Sequence, residues 1–357
     1  MSTAKKIIFS VLSVLLFLIV IELITQAILF LSKKDRTHVS TQSVCMPNFY
    51  KLAPYIMFEI ERNFHSELIN INSLGFRGEE FNPQKPKGVY RIFTVGGSAV
   101  LGIQVADNET FCAVLENMLN LTSKDRKFEV INAGRSSYLS AQEMILIEMQ
   151  ILDYTPDMII VFDGLNDLHH SVVYDRRPGY PYLFDMIERS CGQTPLKRYF
   201  ILGLSRGIQF LAQKSRFVGI LDTNLKKIRK KEETYEPNSP VIDFYRKNLD
   251  LIAKICKSKN VKLVIASPQP FLGTKKYLSA EEQKIVHGNY LEVMVEMYKS
   301  ALAQVKAVTS ENKVNFINMI DVFDNEKDTV YYDVVHFSAK GHKLIAERLY
   351  KELKKSR

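Results

Sequence analysis

Five short apolar runs, separated by stretches with helical periodicity, constrain the fold of this chain more than any other sequence feature. Runs of this length and composition are typical of buried strands. Strands that alternate with helices predict a parallel, doubly wound α/β sheet in three layers. The runs are 90–95, 128–132, 157–162, 261–267 and 314–320, and the helical stretches lie near 108–120, 140–152, 244–258, 281–306 and 338–354.

The interval 168–243 is too long for an ordinary connection between these elements, so we expect a helical insertion there. Within it, residues 197–231 contain ten lysines and arginines and one acidic residue. The whole chain has a formal net charge of +9, so this segment carries the entire excess. Three interpretations stay open: an amphipathic helix on an anionic membrane, a cap that selects acidic glycans or lipids, or a packed helix pair with a solvated basic face.

The N-terminal residues 7–32 read as a single membrane-spanning helix. Residues 7–31 contain one charged residue, Glu22, and at 1.5 Å per residue they extend over roughly 37 Å, enough to cross a bilayer. A cleaved signal peptide would have a shorter apolar region. We therefore expect residues 1–6 in the cytoplasm, a retained single-pass anchor, and a catalytic domain outside the cytoplasm.

The chain after the anchor divides in two by its composition. Residues 33–88 form a polar juxtamembrane lead that ends in NPQKPKG, a sequence that predicts a domain boundary. The regular alternation of strands and helices occupies 89–357. A hydrophobic content of 46% excludes a disordered chain.

The cysteines and paired histidines do not predict a metal or redox site. The four cysteines have neither C-x-x-C nor metal-ligand spacing. The adjacent His169 and His170 lack further ligands at suitable spacing, so we expect loop or substrate-rim residues and no metal. Cys112 and Cys256 are predicted to lie in the core, and a pairing of Cys45 with Cys191 stays open.

Parallel sheets bind ligands at the carboxyl ends of their strands, so the residues that follow each predicted strand are the candidates for a functional site. Gly96-Gly97-Ser98 follows the first strand. A phosphate loop is incomplete there because Ile103 occupies the place of the lysine, and a G-x-S-x-G elbow fails because Val100 replaces its last glycine. This sequence therefore predicts a serine with flexible neighbours at the end of a strand.

Three further strand ends carry polar residues. Asn132 to Arg135 follows the second strand, Asp163 to Asp167 the third, and Tyr332 to Ser338 the fifth. Each has a structural interpretation, such as Asp167 as a helix N-cap or His336 as a core histidine. Together they supply a nucleophile, backbone and amide donors, and an Asp-x-x-His pair, which are the groups that acyl transfer needs.

The order and spacing of these residues resemble the SGNH (GDSL-type) hydrolases, over 89–357 apart from the insertion. The four blocks of that family match Ser98, Gly134, Asn166 and the pair Asp333 and His336. One departure is Gly97, which stands where the family usually has aspartate. The resemblance implies a flavodoxin-like fold, and NSLGFRG at 72–78 looks like the lead that precedes the catalytic domain in some membrane-anchored members.

Residue chemistry assigns Ser98 as nucleophile, His336 as general base and Asp333 as the group that fixes the histidine tautomer. The resemblance implies an oxyanion hole made of the Ser98 and Gly134 backbone N–H groups and the Asn166 side-chain amide. Arg135 could contact an anionic substrate or be a solvated surface residue, and the latter is favoured. His342, in the last helical stretch, is expected to be structural.

These assignments predict a membrane-tethered serine carboxylester hydrolase or deacetylase without a cofactor. Its substrate would be an ester-bearing small molecule, glycan or lipid. An O-acyltransferase that moves an acetyl group onto a cell-envelope polysaccharide stays open, because both reactions share the acyl-enzyme. A non-catalytic glycan-binding or scaffold protein is a second alternative. Nucleic-acid binding is not expected, since the basic residues lie in one apolar insertion without a recognition motif.

Overall fold

The computed structural model describes residues 49–182, 184, 235–285 and 289–355, together with positions 9, 13, 17 and 20. From residue 49 onward, the described residues form seven strands and seven α-helices. The strands are β1 Tyr50–Ala53, β2 Met57–Ile60, β3 Val89–Val95, β4 Lys127–Asn132, β5 Met158–Val161, β6 Lys262–Ala266 and β7 Asn315–Ile317. The helices are α1 Ser98–Leu101, α2 Phe111–Thr122, α3 Ser140–Met149, α4 Leu165–Val173, α5 Ser239–Ser258, α6 Asn289–Asn312 and α7 Ala339–Lys355.

Strands β3 to β7 form one parallel sheet in the order β4-β3-β5-β6-β7. Counted along the chain this is the order 2-1-3-4-5 of flavodoxin-like sheets, with the switch point beside the first strand. The register places Thr94 opposite Asn132, and Val95 opposite Val161. The predicted five-stranded parallel sheet is confirmed, and its first three carboxyl ends lie side by side.

The strands are continuous apolar runs because helices cover both faces of the sheet. Helices α2 and α7 pack together on one face, while α3, α5 and α6 pack together on the other. Strand residues such as Phe93, Val95 and Ile160 are fully buried. This is the three-layer arrangement that the alternation of runs predicts.

The described part of the predicted lead, residues 49–88, belongs to the same compact unit as the sheet. Strands β1 and β2 form an antiparallel hairpin, and the buried Phe76 ring lies 5.3 Å from the Phe93 ring on β3. Residue 88 therefore does not separate two units. The sequence pattern missed this because single aromatic residues between turns have no periodicity, although each buries a large apolar surface.

Several predicted features lie outside the described residues. The predicted span 7–32 is described at positions 9, 13, 17 and 20, and the basic segment 197–231, Cys45 and Cys191 are not described. No helix in the described part of the chain has both the length and the hydropathy to cross a bilayer. Cys112 and Cys256 are buried free thiols, as predicted.

The two chain ends that flank the insertion lie side by side in the described unit. The Arg176 guanidinium donates hydrogen bonds to the carbonyl oxygens of Glu236 and Pro237, at 3.1 and 2.9 Å. In return, the Asn238 side-chain amide donates to the Arg176 carbonyl at 2.8 Å. The chain thus leaves and re-enters the unit at one place.

Candidate active site

Ser98, Asp333 and His336 meet at the carboxyl edge of the sheet. Ser98 is the first residue of α1 and follows β3 after two glycines, Gly96 and Gly97. The His336 Nε2 atom lies 2.8 Å from Ser98 Oγ, and His336 Nδ1 lies 2.7 Å from Asp333 Oδ2. A carboxylate at Nδ1 favours the tautomer with its proton there, which leaves the Nε2 lone pair facing the serine hydroxyl.

The Asp333 carboxylate is held in its ionised form. Its Oδ1 atom accepts the backbone N–H groups of Val335 and His336 at 2.8 and 2.9 Å. Burial alone would raise the pKa of Asp333, but the hydrogen bonds and the charge of His336 bring that pKa below its usual value. An ionised Asp333 stabilises the imidazolium that forms when the histidine accepts a proton.

The loop that carries Asp333 and His336 is closed on itself. The Tyr332 N–H donates to the His336 carbonyl at 2.9 Å, and the Ser338 N–H donates to the Val330 carbonyl at 2.8 Å. The Asp-x-x-His pair therefore forms within one short loop.

A buried ion pair fixes the base of this loop. The Glu282 carboxylate accepts the backbone N–H groups of Val330 and Tyr331 at 2.8 and 3.0 Å. Its other oxygen lies 2.6 Å from Lys276 Nζ, and both side chains are fully buried. Sequence reasoning missed this pair, because its partners are backbone groups about 50 residues away that no side-chain pattern reveals.

Gly97 allows the Asn166 amide to lie against the nucleophile turn. A Cβ built on Gly97 would lie 2.5 Å from Asn166 Nδ2, so any side chain there would displace the amide. The departure from the family pattern at this position therefore has a physical consequence in this chain. Without a side chain at residue 97, Asn166 packs directly on the backbone that precedes Ser98.

Two of the three predicted oxyanion donors are open. The Ser98 N–H has no acceptor within the described residues. Asn166 Nδ2 donates one hydrogen to the Tyr138 carbonyl at 2.9 Å, and its second N–H has no acceptor in the part of the chain that is described. The Gly134 N–H instead donates to Asn132 Oδ1 at 3.0 Å, an Asx-type turn. The structure thus brings Ser98 and Asn166 together and gives the Gly134 N–H another acceptor.

Gly134 has a steric role that is visible in the structure. A Cβ on Gly134 would lie 2.2 Å from the Leu101 backbone nitrogen. The loop after β4 therefore touches the backbone of α1 directly, and Asn132 adds a hydrogen bond from Nδ2 to the Val100 carbonyl at 2.9 Å. The second sequence block supports the helix that begins with Ser98.

Arg77, from the NSLGFRG segment, holds the other end of this helix. Its guanidinium donates to the carbonyl oxygens of Leu101, Gly102 and Val105 at 2.5, 2.6 and 2.6 Å. Its Nε lies 2.7 Å from Asp107 Oδ1, and the residue is 4% exposed. Helix C-terminal carbonyls lack partners within the helix and favour a positive charge. The described lead therefore takes part in positioning Ser98.

Arg135 is buried, so the expectation of a solvated surface residue is wrong. It is 2% exposed, donates to the Gly134 and Gly75 carbonyls at 3.1 and 2.9 Å, and lies over the Phe76 ring. The prediction failed because the segment that covers Arg135 was expected to be a separate lead.

The third block is fixed by polar contacts from neighbouring helices. Gly164, with φ of +98°, is the N-cap of α4, so Asp167 is not. Both Asp167 oxygens instead accept from Ser140, at 2.9 Å from its backbone N–H and 2.7 Å from its hydroxyl. Asp163 Oδ1 accepts the Tyr245 hydroxyl at 3.0 Å. These contacts bracket Asn166 on both sides.

Three other histidines of the described residues, His169, His170 and His342, lie in helices. His169 and His170 lie in α4 rather than in a loop. His169 Nδ1 is 2.7 Å from the Tyr290 hydroxyl, and burial together with the charge of His169 lowers the pKa of His170 to about 3. His342 Nδ1 accepts the Phe111 N–H at 3.2 Å, as expected of a structural residue. No group of three His, Cys, Asp or Glu side chains in the described residues could hold a metal ion.

Comparison with known proteins finds solved structures that are similar to this chain, among them three at 12–15% identity. No family model and no curated protein matches the chain. The acetyl xylan esterase AlAXEase is 14% identical, with 73% of this chain and 98% of that one covered and a TM-score of 0.44. An acetylxylan esterase from Geobacillus stearothermophilus is 15% identical (74% and 94% covered, TM-score 0.44). A GDSL-like lipase from Bacteroides thetaiotaomicron is 12% identical (77% and 92% covered, TM-score 0.42). These proteins carry the names of esterases and of the family that the four sequence blocks resemble.

Proposed function

We propose that this chain is a serine carboxylester hydrolase or deacetylase, tethered to a membrane through residues 7–32. The proposed substrate is an ester such as an acetylated cell-envelope glycan or lipid. One observation carries the proposal: the continuous hydrogen-bonded series from Ser98 Oγ through both ring nitrogens of His336 to the Asp333 carboxylate. A merely structural histidine has no need of a serine hydroxyl at one nitrogen and an ionised carboxylate at the other.

The chemistry follows from the positions of these groups. Ser98 Oγ attacks the ester carbonyl while its proton passes to His336 Nε2, and Asp333 stabilises the resulting imidazolium. The negative charge on the carbonyl oxygen is stabilised by the Ser98 N–H and the free N–H of Asn166. His336 then gives its proton to the leaving alkoxide, so an acyl-serine and an alcohol form. Water, activated by the same histidine, releases the acid and regenerates Ser98.

The Gly134 N–H could join these donors if its bond to Asn132 opens. That bond joins a side-chain oxygen to a backbone N–H two residues on, and a rotation of the Asn132 side chain that frees the donor also breaks the bond from Asn132 Nδ2 to the Val100 carbonyl. In our proposal, removal of Asn166 is the more informative test of the oxyanion hole, because its free N–H is available without any rearrangement of the site.

The experiment is an acyl-release screen of the full chain, with short-chain esters and acetylated glycans. Removing one oxyanion donor typically lowers the rate by about 10²–10³. We expect Asn166→Ala to lower kcat by that factor with little change in the unfolding transition, and Ser98→Ala to abolish turnover. Near-wild-type turnover in Asn166→Ala would refute the assignment of this residue.

Two additional measurements distinguish the hydrolase from a scaffold protein and from an O-acyltransferase. A fluorophosphonate probe should label wild type but not Ser98→Ala, and absence of labelling in wild type would favour a non-catalytic scaffold. Acceptor sugars in the screen reveal an O-acyltransferase, because the acyl group then appears on the sugar rather than as free acid. Extraction of the full chain from membranes by detergent but not by salt or alkali would support the tether.

A further inference from the structure

Three carboxyl groups lie buried behind Asn166. Glu143 is on α3, Asp163 follows β5, and Asp167 is in the first turn of α4. Each residue is at most 3% exposed. The charged groups that face Glu143 are Asp163 and Asp167, and both are acidic. Buried carboxylates without a cation are costly, so the cluster has to reduce its charge in another way.

The hydrogen bonds in the cluster show which carboxyl groups lack a donor. Both Asp167 oxygens accept from Ser140, and Asp163 Oδ1 accepts from Tyr245. Asp163 Oδ2 and both Glu143 oxygens accept no hydrogen bond from an N–H or hydroxyl group within the described residues. The Glu143 and Asp163 carboxyl groups face each other within interaction range, and a hydrogen bond between them would join their unpartnered oxygens. Two ionised carboxylates are acceptors only, so this bond requires a proton.

We propose that Glu143 and Asp163 share one proton, and that this proton keeps the Asn166 amide in place as an oxyanion donor. The two acids are then positioning residues, which act through Asn166 and do not touch the substrate. The inference rests on the proposed function, because it assigns the cluster to the site in which Asn166 acts.

The path from the shared proton to Asn166 is short. Asp163 directly precedes Gly164, and Tyr245 packs so closely on Gly164 that a Cβ there would lie 2.6 Å from the Tyr245 hydroxyl. Loss of the proton places two negative charges in contact in a buried site. Their repulsion moves Asp163 and the Gly164 turn, and with it Asn166 two residues further along the chain.

The titratable groups around the pair come from every element that packs on it. They are Glu143 from α3, Asp163 after β5, Asp167 from α4 and Tyr245 from α5. Burial, followed by the charge of Asp163, raises the pKa of Glu143 well above its usual range, and burial also raises the pKa of Asp163. Burial raises the pKa of the Tyr245 phenol, so this group stays protonated and continues to donate to Asp163. Both shifts favour the protonated form, so the pair holds its proton to a higher pH than an exposed carboxyl group does.

The kinetic test compares pH profiles of kcat for a simple ester. Glutamine at residue 143 donates an N–H to Asp163 as the protonated acid does, but it cannot ionise. Wild type should lose activity at alkaline pH by about 10²–10³, the effect of one oxyanion donor. Glu143→Gln should keep its activity over the same range. Glu148→Gln, an exposed position on the same helix, should follow wild type. Superimposable profiles of wild type and Glu143→Gln would overturn the proposal.

An infrared spectrum tests the proton without relying on activity. At about pH 8, above the pKa of about 7 that burial gives Asp167, ordinary carboxyl groups are ionised. Wild type should then retain the C=O stretch of a protonated acid, which Glu143→Gln lacks and Glu148→Gln keeps. Absence of this band in wild type would refute the shared proton.

Failure of the proposed function and failure of the shared proton would give different results. A wild-type chain that shows the acid band but no ester cleavage at any pH would refute the proposed function while the shared proton stands. If Glu143→Gln does not fold, Asp163→Asn replaces the other acid of the pair by its amide. The infrared spectrum of wild type still shows whether a protonated acid is present.

Discussion

Replacement of Arg77 by lysine tests whether the described lead stabilises the nucleophile helix. In the structure the Arg77 guanidinium donates to four carbonyl oxygens, those of Leu101, Gly102, Val105 and, at 2.9 Å, Leu68. A lysine ammonium has three donors on a point charge and cannot reproduce the planar fork of arginine. The Leu101 and Gly102 carbonyl oxygens keep a second donor, from Asn132 and Val105. We expect the Leu68 and Val105 carbonyl oxygens, whose donor within the described residues is Arg77 Nη2, to lose it.

The magnitude follows from those losses. A buried polar group left without a partner costs about 1–3 kcal/mol, so two of them lower the free energy of unfolding by about 2–6 kcal/mol. Domains are stable by about 5–15 kcal/mol in total, so Arg77→Lys should still fold but with a much smaller margin. Because the affected helix begins with Ser98, we also expect kcat to fall more than KM rises.

The assay is urea unfolding followed by circular dichroism, with kcat and KM for a simple ester measured on the same preparations. Arg62→Lys is a matched control, since Arg62 is an exposed arginine of the same lead, and surface substitutions usually change stability by less than about 0.5 kcal/mol. If Arg77→Lys and Arg62→Lys differ by less than about 1 kcal/mol, the carbonyl contacts of Arg77 do not stabilise the helix as argued.

Two further predictions concern buried charges. Lys276→Met leaves Glu282 without its cation, and breaking a buried ion pair costs about 3–5 kcal/mol. The urea midpoint of Lys276→Met should therefore be lower than that of wild type. The double variant Lys276→Met with Glu282→Gln should recover part of the lost stability. Burial raises the pKa of Asp167 to about 7, so its stabilising contribution is full below about pH 4 and is lost as the pH rises to about 7. Relative to Asp167→Asn, wild type should therefore lose up to about 4 kcal/mol of unfolding free energy over that interval, and parallel stability curves would contradict this ionisation.

The sheet could be predicted from sequence because its signals are local. Each strand is one continuous apolar run, and the Asp333 and His336 pair forms within a single loop. Ser98, Asn166 and this pair come together because the carboxyl ends of parallel strands share one edge, which the strand alternation already implies.

The supporting contacts could not be predicted, for a different physical reason. Arg77 and Glu282 bind backbone carbonyl and N–H groups, and every residue has these groups, so no residue pattern marks the partner. The burial of Arg135 depends on Gly75 and Phe76, in a segment without periodicity. The acceptor of the Gly134 N–H depends on the rotamer of Asn132, which composition and spacing do not encode.

The paired chain ends at Arg176 and Asn238 have an evolutionary consequence. The described contacts that join the two ends are made by Arg176, Glu236, Pro237 and Asn238, so they do not depend on the length of the excursion between them. Changes in the length of 183–234 can therefore leave the described junction, and the sheet that carries Ser98, in place. An engineer can use the same place as a graft point for new recognition elements.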